Sequence, residues 1–194
     1  MPESALGQTS QGLTQRGDRA AVQRAHDALV AGAAYLVARG AQSSDVGHIM
    51  PNVRLRRSGN CLNELDRFLS VLITECARVA GIVEAGVPSD EAEDIPRRID
   101  NARRLRRIEA HCGAVSPATG RLRAIGRIRD LAGGHGLQRP GAWLERDMAV
   151  ATAGAVAIVV HPTQTPEISD VALGVIAEFY VAIADRLLGF FGGA

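Results

Sequence analysis

The chain has 194 residues with 22 basic and 21 acidic side chains, a formal net charge of +1, 46% hydrophobic residues and 4% aromatic ones. That length carries one domain with a substantial core, or two only if both are small. The near-neutral balance excludes a polycation, and an alanine- and leucine-rich, aromatic-poor chain favours helices.

All the basic residues are arginines, so each cation is a planar fork suited to phosphate or carboxylate. The three cysteines, Cys61, Cys76 and Cys112, form no CxxC pair and no disulfide framework, which fits a reducing cytoplasm. Residues 1–17 are polar and lack the apolar segment of a signal peptide; they read as a flexible N-terminal arm. Residues 18–194 read as a single helical-bundle domain.

Asp18 is placed to cap a first helix running to about Arg39, with Val22, Leu29, Ala33 and Leu36 at helical spacing. Residues 40–58 hold glycine, proline, His48, Asn52, Arg54, Arg56 and Arg57, and read as a long connection. A second helix is predicted over 60–85, its apolar face traced by Leu62, Leu65, Leu69, Leu72, Ile73, Cys76 and Val79; Gly86 and Pro88 end it. A third helix starts near Pro96 and ends before Gly113. Pro117 opens a fourth over 117–132, which Gly133 and Gly134 stop. Residues 143–150 suit a helix. Residues 155–160 are compatible with helix or buried strand, and helix is preferred because no second strand exists to pair with them. A last helix runs from Pro166 to about Gly189. The fold class is all-α, an antiparallel helical bundle of five or six helices. The longest uncharged apolar run, 148–160, is too short to span a bilayer, and the stretch 171–191 is interrupted by Glu178, Asp185 and Arg186, so no membrane span is expected.

Ten arginines lie between positions 97 and 129, against two acids, Asp100 and Glu109. Upstream, Glu84, Asp90, Glu91, Glu93 and Asp94 are available to neutralise part of that charge, but five acids leave positive surface over. Such a surface suits a polyanion, and RNA is the obvious one. Arg103, Arg104 and Arg107 fall opposite the apolar face of the third helix. Arg123 and Arg127 lie outside the stripe of Leu122, Ile125, Ile128 and Leu131 on the fourth. Arg129 lies inside that stripe, seven residues after Leu122 and four after Ile125. A guanidinium is not buried unpaired. It needs a carboxylate, with Glu64, Asp66, Glu75 and Glu145 as candidates, or a cavity, or a subunit interface.

Arg129-Asp130 followed by His135-Gly136, with five residues between the arginine and the histidine, resembles the motif of the HEPN superfamily. These are helical domains frequent in bacterial toxins and defence proteins. The resemblance covers residues 121–136, and more weakly the helix near Asn60; the Gly133-Gly134 pair and Asp130 depart from the commonest pattern. It implies a metal-independent endoribonuclease or an RNA-binding relative, acting as a homodimer, with an antitoxin as a possible partner and no cofactor. On that likeness His135 acts as general acid or base, Arg129 stabilises negative charge on the phosphate and Asp130 orients one of them. Arg123, Arg127, Arg103, Arg104 and Arg107 are the RNA-binding candidates. A second histidine from a two-fold partner would supply the second proton transfer.

No HExxH, GxSxG or Walker-type loop is present, and no metal-ligand spacing stands out. His26-Asp27 reads as surface decoration. The alternative of a different class is a non-catalytic helical module binding a protein or a small ligand.

Overall fold

The structure, a computed structural model, describes residues 4–43, 51–82, 100–115, 118–133, 142–156 and 168–192. Among them are six helices and no strand: α1 Ser4–Ser43, α2 Pro51–Val79, α3 Asn101–His111, α4 Ala118–Ala132, α5 Ala142–Ala151 and α6 Asp170–Phe191. The chain is an all-α bundle, as its composition and periodicity require.

Helix boundaries depart from the sequence-based ones for local reasons. The first helix begins at Ser4 rather than at Asp18, and Asp18 pairs with Arg78 on α2 instead of capping. The second begins at Pro51, whose missing N–H costs nothing in a first turn. Arg54, Arg56 and Arg57 are therefore helical, not loop residues. It ends early because Gly81 adopts φ +64, and Ile82 N–H closes back on the Ala77 carbonyl at 2.9 Å. Asp100 caps α3 by accepting from the Arg103 N–H at 3.0 Å. The fifth helix stops at Ala151, so Ala155 and Val156 lie beyond it in a bend. Ser169 caps α6, accepting from the Ala172 N–H at 3.1 Å, so that helix starts four residues after Pro166.

Cross-helix pairs give the directions. Asp18 meets Arg78 and the Arg39 carbonyl accepts from Arg57, so α1 and α2 are antiparallel. Gly59 faces Ala132 and Asp66 faces Arg129, so α2 and α4 are antiparallel too. Arg121 donates to the Ala151 carbonyl at 2.6 Å and Arg127 reaches Asp147, which makes α4 and α5 antiparallel. By contrast α3 and α6 run along α2: Asn101 and Arg104 meet Asp66 and Ser70, while Ile168 and Tyr180 meet Ser58 and Asp66.

The apolar faces meet around α2. Val22, Leu29, Ala33, Leu62, Leu65, Leu69, Leu72, Ile73, Leu122, Ile125, Ile128, Ile176 and Leu187 are all buried. Burying each large aliphatic side chain contributes about 1.5–3 kcal/mol against the entropy of ordering it. Cys76 belongs to this core, and burial pushes its thiol up to about 12, so it behaves as a small hydrophobe. No helix among the described residues is long and apolar enough to cross a membrane.

At Gly59 the backbone of α2 lies close against Ala132 of α4. A Cβ there would lie 2.7 Å from the Ala132 Cβ and 3.1 Å from its carbonyl carbon. Alanine gains about 1 kcal/mol of helix propensity over glycine, but overpacking costs about 1–3 kcal/mol. The clash wins, because a backbone carbon cannot rotate aside. Gly59→Ala is therefore expected to lower the urea midpoint. Gly174→Ala, where nothing lies within 4 Å of the new methyl, is expected to raise it. Stabilisation by Gly59→Ala would contradict the packing.

His26 is not decoration. Its Nε2 lies 2.8 Å from Asp185 on α6 and its Nδ1 lies 3.0 Å from Asp27, with the ring only 12% exposed. Burial disfavours the charged ring, but the two carboxylates outweigh it and its pKa is raised from 6.5. A raised pKa means stability fully present below about 6.5 and lost as pH rises through the folded value. The melting temperature is thus expected to fall from pH 6 to pH 8 by more than in His26→Gln. Parallel pH curves for the two proteins would refute it.

Candidate functional site

The site is built around Arg129 at the C-terminal end of α4. Ile125 and Ile128 are buried, and the helical phase they set turns Arg129 toward α2. The close Gly59–Ala132 contact brings the two helices near enough for the guanidinium to reach Asp66. Arg129 Nη1 donates to Asp66 Oδ2, and Nη2 donates to Asp130 Oδ1 at 3.2 Å. Of the four carboxylates the sequence offers, Asp66 is the one that meets the arginine.

Asp66 is a shared acceptor. The Tyr180 hydroxyl on α6 donates to its Oδ1, and Asn101 Nδ2 donates to its backbone carbonyl at 2.8 Å and, at 3.4 Å, to Oδ1. Arg129 and Asp66 are 11% and 7% exposed at their side chains. Burial pushes the Asp66 carboxyl above its ordinary range, while Arg129, Tyr180 and Asn101 pull it back. Burial works against the Arg129 charge, yet Asp66 and Asp130 outweigh it, so the guanidinium is held protonated. Burial first, then Asp66, raises the Tyr180 phenol well above 10, which leaves it an O–H donor.

Two clefts open on this pair. One, of about 280 Å³, is lined by Asp66, Asp100, Asn101, Arg123, Arg127, Arg129 and Asp130, with Ala102, Leu122 and Gly126. The other, of about 460 Å³, is lined by Asn60, Asn63, Glu64, Asp66, Arg67 and Arg129. Arg129 and Asp66 belong to both walls.

The other arginines divide into tethered and exposed groups. Arg127 binds Asp147 bidentately, Nε to Oδ2 at 2.5 Å and Nη2 to Oδ1 at 2.6 Å. Arg104 donates to Ser70 Oγ at 2.6 Å and Thr74 Oγ1 at 2.7 Å. Arg121 holds the α5 end through the Ala151 carbonyl and lies 4.2 Å from the Phe179 ring centroid. Arg103, Arg106, Arg107 and Arg123 are exposed. Arg123, Arg127, Arg129 and Asp130 are brought to one cleft; Arg103, Arg104 and Arg107 do not line it. His135, Arg97, Arg98 and the acidic cluster at 84–94 lie outside the described residues.

Tyr180, Asn101 and Asp147 were not anticipated from sequence. A signal existed for Tyr180, which follows Ile176 by four and precedes Ile183 by three, at the phase of a buried face. Asp66 carries the same signal, four residues after Leu62. Among the described residues no group of three His, Cys, Asp or Glu side chains gathers to hold a metal ion. No protein-family model, curated protein or solved structure matches the chain.

Proposed function

We propose that the chain is an HEPN-like protein that acts on RNA, as a metal-independent endoribonuclease assembled from two copies. The observation that carries this reading is the placement of Arg129: an inward guanidinium, locked by Asp66 and Asp130, in the wall common to two open clefts. A phosphodiester laid across that wall would meet a cation that needs no reorganisation to receive developing charge. His135 follows the end of α4 by three residues in the chain. In the reaction the ribose 2′-oxygen attacks phosphorus as its proton passes to a base. The bond to the 5′-oxygen breaks as an acid protonates that oxygen, leaving a 2′,3′-cyclic phosphate and a 5′-hydroxyl. One histidine serves one of these transfers, and a second from a two-fold partner serves the other. The exposed arginines Arg103, Arg107 and Arg123 supply the electrostatic attraction, with Arg104 and Arg127 held back by their partners. The same reading puts the protein in a bacterial cytoplasm, in toxin or defence work, with an antitoxin as partner.

One observation favours a second reading, a non-catalytic binding module: both terminal nitrogens of Arg129 already carry carboxylates. The assay that separates them is cleavage of a single-stranded RNA in EDTA. Activity in the wild type that disappears in His135→Ala and Arg129→Ala supports the nuclease; an inert wild type, or mutants as active as it, overturns it.

A further inference from the structure

Asn60, Asn63, Glu64 and Arg67 stand at i, i+3, i+4 and i+7 of α2, one stripe on a helix turning about 100° per residue. That stripe lines the cleft of about 460 Å³ that ends on Arg129. Asn60 and Asn63 are exposed, and neither side chain is held by another described residue. Arg67 is 70% exposed and touches only Glu64 within the stripe, at 3.4 Å, a surface pairing that contributes little.

We infer that this face of α2 binds one ribonucleotide, the neighbour of the phosphate presented to Arg129. The inference rests on the RNA reading above and adds to it a subsite with named contacts. The charge pattern selects this occupant. Two arginines face Glu64 and Asp66 in the cleft, so its charges balance and a run of phosphates is disfavoured, whereas an uncharged base and sugar beside a single phosphate at Arg129 are admitted. Among the described residues no aromatic side chain lines either cleft, so recognition there rests on polar groups rather than stacking. Carboxamides offer a paired donor and acceptor and suit a base edge. Glu64, partly exposed beside them, is an acceptor for a ribose 2′-hydroxyl, the group that separates RNA from DNA. The smaller cleft shares Arg129 and Asp66 with the larger one, so a strand crossing the arginine would set the neighbouring nucleotide against it.

The test uses the full chain carrying His135→Ala, so that the probe stays intact. Binding of a fluorescent single-stranded oligoribonucleotide is followed by anisotropy across a salt series. Adding Asn60→Ala and Asn63→Ala together is expected to weaken binding on the order of tenfold. Arg67→Ala is expected to reduce the slope of log affinity against log salt by about one. Glu64→Gln is expected to narrow the preference for RNA over DNA of the same sequence. Arg24→Ala, an exposed arginine on α1, serves as the control. If the asparagine variants bind as tightly as the parent, or lose no more than the Arg24 control, the subsite is overturned while the RNA reading stands. If the parent binds no RNA at all, the RNA reading fails with it. A parent that binds DNA equally well overturns the ribonucleotide assignment alone.

Discussion

Replacing Arg129 by alanine is expected to lower the unfolding free energy by about 3–5 kcal/mol, the cost of leaving a buried carboxylate without its cation. The size follows from where the charge stays. Asp66 is 7% exposed at its side chain, and the guanidinium is the only cation among its described partners. Tyr180 and Asn101 still donate to Asp66, but hydrogen bonds from neutral groups do not replace a compensating charge. Removing both charges together tells the pair's net worth from the penalty of breaking it. Arg129→Met with Asp66→Leu is expected to cost clearly less than the sum of the single changes, because neither charge is then stranded. The Tyr180 hydroxyl would be the group left unsatisfied, at about 1–3 kcal/mol. Adding Tyr180→Phe to the double variant is expected to recover most of that, although Tyr180→Phe alone destabilises. Urea unfolding followed by circular dichroism gives all of these values. A loss below about 1 kcal/mol for Arg129→Ala would mean that water already screens the pair.

How far this pair could be read from sequence depends on which physical rule governs each part. The phase of α4 is a local property: Leu122, Ile125 and Ile128 set it, and it turns Arg129 inward. That a buried guanidinium needs an acid follows at once, and Asp66 was one of four candidates. Choosing Asp66 over Glu64, Glu75 or Glu145 required knowing which stretch of α2 lies against the end of α4. The Gly59–Ala132 contact decides that, and a glycine in a helix does not announce what it will touch. Helix ends show the same division. Gly113 closes α3 where expected, since Ala114 N–H returns to the Glu109 carbonyl at 2.8 Å. Gly81 closes α2 before the more conspicuous Gly86 and Pro88, because several glycines compete and the first to adopt positive φ ends the helix. The role of His26 is not legible in the sequence because its partner Asp185 lies 159 residues away, on a helix that only the assembled bundle brings alongside.

On the proposed reading, His135→Ala is expected to lower kcat for RNA cleavage by about 10²–10⁴-fold, the usual contribution of a positioned acid or base. This change leaves Arg129, Asp66, Tyr180 and Asn101 untouched, so stability should stay near wild type while activity falls. Arg129→Ala is a poorer probe by itself, because it removes the phosphate's counter-charge and damages the fold together. Arg129→Lys separates the two effects: an ammonium keeps charge beside Asp66, but it is a single point where the guanidinium is a fork reaching Asp66 and Asp130. It should retain more stability than alanine and still lose most of the cleavage. The pH profile carries the rest. With one histidine acting as base and a partner's as acid, kcat/KM should follow a bell-shaped pH profile, and mixing His135→Ala with wild-type chains tests whether the two copies share a site. If each active site needs a histidine from both chains, dimers of one wild-type and one His135→Ala chain should be as inactive as the variant, so activity should fall faster than the wild-type fraction. A wild-type protein with a flat pH profile, or a His135→Ala variant that cleaves as fast as its parent, would remove histidine from the mechanism and leave the arginine network as architecture for a binding module.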